Sequence, residues 1–349
     1  MPRRAVLALV GVLVVLVAGL VAFRLGDPGT PLQRALDLVP AATSRATWTD
    51  WAGVRAELDA DVDADSDPAA IDAFLAEAFA RDLSSMSALS TSAGVMQEEL
   101  GLSPATLDWE LLAQSDAGAV EVMGVGDDVD TSDLAERLRD LGWDEPAEAD
   151  GVWVGGPDVL SGVGATLTPE LQHFALLGDQ GLVLASDQAP FLEQVLEVVR
   201  GDAGGADALA DVAGALDAPL AAAVFTGDHA CEELAMSQAD DDAQAEADQL
   251  VAAAGGVHPL TGFAMGLEAG GDVRAVLQVE DADDAPGDAE ARSQLAAGPA
   301  PGQGGDFSDR FSVEEASSDG REITLELRPA DGEYVLSDLT SGPVLFATC

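Results

Sequence analysis

An alternating run of aspartates from Asp59 to Asp67 is the first pattern in the sequence whose spacing suits a chemical role. Calcium-binding loops place oxygen ligands at alternating positions and require Gly at the sixth position. A loop that begins at Asp61 would use Asp61, Asp63 and Asp65 as ligands, but its sixth residue is Ser66. Calcium is therefore the one cofactor that the sequence suggests, and the match to a calcium loop is partial.

The two cysteines, Cys231 and Cys349, offer a second kind of chemistry. An even number of cysteines in an exported chain favours a disulfide, which here would close a long loop and hold the C-terminus. A zinc or thiol site built on His229 and Cys231 is the alternative. Zinc normally takes three or four protein ligands, and no other His lies near in the sequence. A Cys231–Cys349 disulfide is therefore expected.

Several classes of enzyme are excluded because an obligatory side chain is absent. The sequence contains no Lys and no Asn, so it has neither a Walker-type phosphate loop nor a lysine for a Schiff base. It also lacks the G-x-S-x-G and H-E-x-x-H motifs. A hydrolase that uses two carboxylates stays open, because such a pair has no signature among 64 acidic residues. No catalytic residue is assigned, and the chain is expected not to be an enzyme.

The charge of the chain limits its partners. Fifteen basic residues against 64 acidic ones give a formal net charge of -49 at pH 7. Proteins bind nucleic acids by neutralising phosphates with Lys and Arg, so this chain is expected to bind neither DNA nor RNA. The acidic surplus suits either a weak sink for divalent cations or a solvated surface adapted to salt.

An apolar segment from Ala5 to Phe23 stands near the N-terminus. As a helix with a rise of about 1.5 Å per residue it would span roughly 28 Å, close to the thickness of the hydrocarbon core. Arg3 and Arg4 precede it, so the positive-inside rule predicts a cytoplasmic N-terminus and an extracytoplasmic C-terminal domain. A cleaved secretory signal is the alternative, but its apolar core is usually about 7 to 15 residues long. One helix is therefore expected to anchor the chain in the plasma membrane.

Hydrophobic periodicity predicts the elements that would position these residues. A helix from Pro68 to about Leu83 is expected, with Asp67 as its N-cap, and a strand is expected from Val344 to Thr348. The neighbouring Trp48 and Trp51 suit a ligand-stacking platform or the core, where large aromatics beside a strand end usually lie.

The order of elements predicts an α+β fold, with antiparallel sheets, helices packed on one face, and one preceding transmembrane helix. Residues 108–230 and 258–349 share an order of strand or hairpin, helix and antiparallel strands, which suggests two degenerate repeats. The predicted segments in chain order are an anchor (1–24), a linker (25–35), an N-terminal helical part (36–107), a first α+β half (108–230), an acidic helical connection (231–257) and a second α+β half (258–349).

Three passages of the chain resemble a known family. They are Leu38–Ala42 leading into Trp48–Trp51, the hairpin Phe174–Asp187, and the helix that follows this hairpin. In these passages the chain resembles a family of membrane-anchored exported proteins of high-GC bacteria that is known only as a domain of unknown function. The resemblance covers about half of the chain and implies an anchor followed by an exported domain. It implies no activity, cofactor or catalytic residue.

The expected function is a non-catalytic role in the cell envelope. An extracytoplasmic acidic domain, anchored in the plasma membrane, would bind an envelope component or a protein partner. Two alternatives stay open. A carboxylate-dependent hydrolase would need a cleft with two converging acids and a raised pKa. A calcium-dependent module would use the aspartates between Asp59 and Asp67.

Overall fold

The computed structural model describes residues 29–126 and 129–349 of the chain. Its strands in chain order are β1 (Arg45–Thr49), β2 (Leu107–Ser115), β3 (Gly118–Val125), β4 (Trp153–Val154), β5 (His173–Leu177), β6 (Leu182–Ser186), β7 (Ala221–Thr226), β8 (Leu260–Leu267), β9 (Val273–Val279), β10 (Phe311–Asp319) and β11 (Glu322–Pro329). They form one sheet in the spatial order β10-β11-β9-β8-β7-β1-β2-β3-β6-β5-β4. Every neighbouring pair is antiparallel.

Twelve α-helices lie in the described residues. In chain order they are α1 (Pro31–Leu36), α2 (Trp51–Glu57), α3 (Pro68–Ala80), α4 (Ala93–Val95), α5 (Thr131–Leu141), α6 (Pro157–Val163), α7 (Ala189–Val199), α8 (Asp207–Ala213), α9 (Gly227–His229), α10 (Asp241–Ala254), α11 (Ala285–Ala296) and α12 (Val335–Leu339). Two π-helical turns, Met96–Leu100 and Ala230–Leu234, follow α4 and α9. The predicted N-cap of α3 is confirmed, because the Asp67 side chain accepts a hydrogen bond from the N–H of Ala70 at 2.9 Å.

Strands β1 and β7, the central pair, join two arms of the sheet. The first arm contains β2, β3, β6, β5 and β4, and the second arm contains β8, β9, β11 and β10. In each arm a hairpin is followed by a helix and later by a second hairpin, with β4 and α6 also intervening in the first arm. The two hairpins pair through the second strand of each, β3 with β6 and β9 with β11. Helices α5 and α11 occupy corresponding places in the two arms.

Both faces of the sheet are covered, because its central strands are apolar on both sides. In β7, Ala223 and Phe225 point to one face, and Ala222 and Val224 point to the other, and all four are buried. We call the face that carries Ala223 and Phe225 the cleft face. It is packed by seven helices and their loops: α2, α3, α5, α6, α10, α11 and α12. The opposite face is packed by α1, α7 and α8.

These observations correct the predicted fold class. The antiparallel strands form one continuous sheet rather than several, and helices cover both of its faces rather than one. No helix in residues 29–126 or 129–349 is long and apolar enough to cross a membrane, so a transmembrane helix ahead of the sheet is not supported. The predicted anchor, residues 1–24, lies outside the described residues.

Two local predictions also change. The helix that begins at Pro68 ends at Ala80, three residues before the predicted end, because Arg81 leaves helical geometry and Asp82 adopts a positive φ of 60°. The strand expected from Val344 to Thr348 is a short 3-10 helix over Leu345–Ala347. This segment is apolar because it packs against the cleft face as a cover, not because it joins the sheet.

Candidate functional site

A cleft of about 440 Å³ lies on the cleft face, over the middle of the sheet. We call it the central cleft, and its lining residues are Arg45, Thr47, Ser85, Met86, Ser87, Ala88, Leu112, Phe225, His229, Glu233, Leu234, Thr340 and Ser341. An adjoining groove of about 550 Å³ shares Arg45, His229 and Glu233 with it. The two strands of the central pair, β2 of the first arm and the segment that follows α12 therefore meet here.

Strand register builds the floor of the central cleft. Arg45 lies opposite Phe225 on β7, and Thr47 lies opposite Leu112 on β2. Because alternate residues of a strand point to the same face, all four side chains are on the cleft face. His229 follows β7 directly, in α9, whose N-cap Thr226 accepts a hydrogen bond from the N–H of His229 at 3.4 Å.

Arg45 is unusual among the arginines of this acidic chain. Every other arginine in residues 29–126 and 129–349 donates at least one side-chain hydrogen bond, whereas Arg45 makes neither a hydrogen bond nor an ion pair there. Its Nε is buried, and so is the equally unpartnered hydroxyl of Thr47. Buried polar atoms without partners are costly, so their presence in a cleft points to a ligand or water that would satisfy them.

Acidic and aromatic groups line the cleft beside Arg45. Glu233 lines it without a hydrogen bond or ion pair among the described residues. The ring of His229 stacks on Phe225, with 5.7 Å between ring centroids. Burial lowers the pKa of His229, and the positive charge of Arg45 lowers it further, against weaker opposing effects of Glu233 and Glu232. His229 is therefore neutral at pH 7, and Arg45 supplies the positive charge of the cleft.

Two glutamates form a buried acidic pair near the cleft but not in it. Glu110 on β2 and Glu121 on β3 are diagonal neighbours on the cleft face, and their exposed fractions are 1% and 0%. The indole N–H of Trp51 donates to Oε2 of Glu110 at 3.0 Å. Oε1 of Glu110 and both carboxylate oxygens of Glu121 have no partner among the described residues.

Burial controls the protonation of this pair. It raises the pKa of Glu110 to about 7, although the nearby polar groups of Ser87, Ala88 and Leu89 and the hydrogen bond from Trp51 oppose the shift. Burial also raises the pKa of Glu121 well above its usual range, and the negative charge of Glu110 adds to this effect. Two converging acids with raised pKa values are what a carboxylate-dependent hydrolase requires, but both glutamates are buried and neither lines the central cleft.

A larger cleft, of about 830 Å³, lies in the first arm between α5, α7 and the turn after β5. Its arginine, Arg200, already bonds Asp150 at 2.8 Å, and the neighbouring Arg139 bonds Glu145 at 2.8 Å. Both arginines beside this cleft are therefore paired within the protein. The smaller central cleft is the better candidate because its cation has no partner.

The predicted calcium ligands lie in an exposed turn before α3. Asp61, Asp63 and Asp65 are all exposed. Oδ1 of Asp63 accepts from the N–H of Asp65 at 2.9 Å and from the hydroxyl of Ser66 at 3.1 Å, so this carboxylate stabilises the turn. In the described part of the chain, no group of three or more His, Cys, Asp or Glu side chains is arranged to hold a metal ion. Calcium binding here stays a prediction.

The predicted disulfide is confirmed: Cys231 and Cys349 are bonded, with 5.7 Å between their Cα atoms. The bond joins the π-helical turn after α9, which borders the central cleft, to the last residue of the sequence. The alternative zinc or thiol site at His229 and Cys231 is wrong, because the Cys231 sulfur is bonded to Cys349. The C-terminal segment is also held by Arg292, which donates to the carbonyls of Phe346 at 2.7 Å and Thr348 at 2.9 Å.

Both tryptophans near β1 are core residues rather than a ligand platform. Trp48 points to the opposite face and stacks on Trp109 at 5.2 Å between centroids, while Trp51 points to the cleft face and packs against Phe74. They therefore lie on different sides of the sheet and cannot hold one ligand between them.

Sequence reasoning missed Arg45, Glu110 and Glu121. A signal was present for Glu121, since it interrupts an otherwise apolar strand in Val120-Glu121-Val122. No local signal marks Arg45, because its lack of a partner depends on residues that are distant in the sequence.

Comparison with known proteins adds little to this description. No family model matches the chain, and no curated protein matches it. Among solved structures, crystal form I of TP0453 aligns with 89% of this chain and 97% of its own, at 8% identity and a TM-score of 0.39. Crystal form III of TP0453 aligns with 88% of this chain and 97% of its own, at 9% identity and a TM-score of 0.40. Similarity at this level informs neither the fold nor the function of the chain.

Proposed function

We propose that this chain is a non-catalytic extracytoplasmic binding domain that takes its ligand in the central cleft. The observation that carries the proposal is the unpaired Arg45 guanidinium in that cleft, beside the unpartnered hydroxyl of Thr47. A folded protein rarely leaves such groups unsatisfied unless something else contacts them. The Cys231–Cys349 disulfide supports an oxidising compartment outside the cytoplasm.

The chemistry of the cleft favours binding over catalysis. In the described part of the chain, no hydrogen bond joins the ring of His229 to Ser85, Ser87 or Ser341, so His229 is not paired with a serine as the base of a nucleophile. The two fully buried acids with raised pKa values, Glu110 and Glu121, do not line the cleft. A site with a fixed cation, hydroxyl groups and apolar walls suits recognition of a small molecule.

Ligand retention tests this proposal. The full-length chain is incubated with a small-molecule extract of the cell envelope, separated from unbound material and analysed by native mass spectrometry. We expect wild type to retain one or a few species, Arg45→Gln to lose them, and Arg321→Gln to retain them. Arg321 is a matched control because it is exposed and lies at the start of β11, outside the central cleft.

Two outcomes would contradict the proposal. One is that wild type retains nothing, or that Arg45→Gln retains the same species. The other is that the retained species are recovered chemically changed at a rate that depends on Arg45, because that result would make the chain an enzyme. Equal urea midpoints for the two variants would show that both are folded.

A further inference from the structure

We infer that the ligand of the central cleft is a small zwitterion with an apolar body, an amino acid or dipeptide, whose carboxylate pairs with Arg45 and whose ammonium group pairs with Glu233. This inference rests on the proposed binding function and adds the chemical class of the ligand. It follows from Arg45, whose Nε is buried without a partner, and from the exposed carboxylate of Glu233, which lines the same cleft and pairs with no cation among the described residues.

The Arg45 end of the cleft suits a single carboxylate. A guanidinium presents its N–H groups as a planar fork that matches the two oxygens of a carboxylate. A phosphate dianion fits less well, because Asp228, Glu232 and Glu233 line the adjoining groove and would repel a second negative charge. His229 is neutral at pH 7 and supplies no compensating charge.

The Glu233 end suits an ammonium group. No ion pair within 4.0 Å joins Glu233 to Arg45 or to any other cation in residues 29–126 and 129–349, although both side chains line the central cleft and the adjoining groove. Opposite charges that share a cleft without touching leave space for a ligand that carries the complementary pair. A ligand with no net charge also adds nothing to the self-repulsion of a chain whose net charge is -49.

The walls between these charges suit an apolar body. Met86, Phe225 and Leu234 supply apolar contact surface, and the unpartnered hydroxyl of Thr47 offers a hydrogen bond to a carboxylate or peptide group. A volume of about 440 Å³ is within the range of small-molecule sites and leaves no room for a folded partner. A small apolar side chain, such as that of leucine, is therefore compatible with these walls.

Calorimetric titration of the full-length chain tests the inference with defined probes. The probes are L-leucine and leucyl-leucine, together with leucyl-leucine blocked as its N-acetyl derivative or as its C-terminal amide. We expect one of the two free zwitterions to bind, and each blocked form to bind at least tenfold more weakly, because each loses one charge-assisted hydrogen bond. The comparison of leucine with leucyl-leucine distinguishes an amino acid from a peptide.

Variants assign each end of the ligand to its residue. Arg45→Gln should bind the free and the amidated dipeptide equally, and Glu233→Gln should bind the free and the acetylated dipeptide equally. Arg321→Gln and Glu246→Gln, which change exposed residues outside the cleft, should keep the preference of wild type. This pattern depends on discrimination between probes, so a general loss of stability would not reproduce it.

Failure of the inference differs from failure of the proposed function. If no probe binds at millimolar concentration while the envelope extract still yields an Arg45-dependent ligand, the zwitterion assignment is wrong and the binding function stands. If the blocked dipeptides bind as well as the free one, the assignment is also wrong. If neither the probes nor the extract yield a ligand, both proposals fall.

Discussion

Both carboxylate oxygens of Glu121 are buried without a partner among the described residues, and this sets how a single side chain responds to pH. Its pKa in the folded protein lies well above its usual value near 4.5, so the folded protein holds a proton that the unfolded chain releases. Stability is therefore greatest below the unfolded pKa and falls as pH rises above it. Glu110, whose pKa is raised to about 7, contributes in the same direction between about pH 4.5 and 7.

Replacement of Glu121 by Gln should stabilise the protein at alkaline pH. At pH 8 we expect the free energy of unfolding to rise by about 1 to 3 kcal/mol, because the variant no longer buries a carboxylate that must be neutralised. At pH 5, where the wild-type side chain is protonated, the change should be below about 1 kcal/mol. Urea unfolding at both pH values measures this difference.

The exposed substitution Glu246→Gln is the control and should shift neither value. Equal effects of Glu121→Gln at pH 5 and pH 8 would contradict the assigned pKa shift.

At the scale of single residues the sequence offered partial guidance. It predicted the disulfide partners correctly, and the apolar strand around Glu121 carried a signal for its burial. It could not show that Arg45 lacks a partner, because that depends on packing by distant segments.

Single elements are joined by specific side chains, and Asp82 gives the clearest case. It lies just beyond the end of α3, with φ at 60°, and its Oδ2 accepts hydrogen bonds from the N–H groups of Leu336 at 2.9 Å and Ser337 at 3.2 Å. These N–H groups belong to the first turn of α12. The first N–H groups of a helix have no carbonyl acceptor within the helix, so they need a partner elsewhere. Asp82 thus caps a helix that lies more than 250 positions later in the sequence.

Asp82→Ala should lower the free energy of unfolding by about 2 kcal/mol, since it removes the cap and places a residue that disfavours positive φ. Asp82→Asn should cost less than about 1 kcal/mol, because Asn keeps an acceptor oxygen and tolerates positive φ. Thermal or urea unfolding of both variants tests this order. Asp331→Ala, in the exposed turn before α12, is the control. If Asp82→Asn costs as much as Asp82→Ala, the capping role is wrong.

Elements with strong local signals were predicted well from the sequence. The hairpin of β5 and β6 has apolar strands around a turn that contains Gly181 at a positive φ of 65°, and α7 follows it as expected. The error at Val344–Thr348 has a physical cause. A short apolar run is compatible both with a buried strand and with a segment that packs on the face of a sheet. Only the position of the segment relative to the sheet distinguishes the two.

For the whole molecule, the disulfide and the Arg292 contacts act on the same segment. The bond closes a loop between residues that are 118 apart, and Arg292 is fully buried where it binds the carbonyls of Phe346 and Thr348. Asp288 balances its charge at 3.1 Å. The C-terminal segment is therefore held by two independent means.

Loss of the disulfide should destabilise the whole protein. The double substitution Cys231→Ser and Cys349→Ser should lower the free energy of unfolding by about 4 to 5 kcal/mol, since a loop of this length gains that much conformational entropy in the unfolded chain. Urea unfolding of the variant and of reduced wild type should agree. A difference from oxidised wild type below about 1 kcal/mol would contradict the prediction.

The order of strands was the least predictable property of the molecule. The α+β composition and most hairpins follow from local patterns, but the union of both arms into one sheet depends on β1 pairing with β7. These strands are short, and β1 contains two polar threonines that carry no sign of a central position. The sequence therefore led to the wrong prediction of separate sheets with helices on one face.

The central pair has a consequence for how the molecule assembles. Hairpins within each arm connect residues close in sequence, whereas the register of β1 and β7 matches Arg45 with Phe225, across half of the chain. Contacts of such long range form late and slowly. The chain must first lose the entropy of closing a large loop, and only then do the contacts contribute favourable free energy. The floor of the central cleft depends on the pairing of β1 with β7. A nascent or truncated chain that contains one arm alone therefore does not form the cleft.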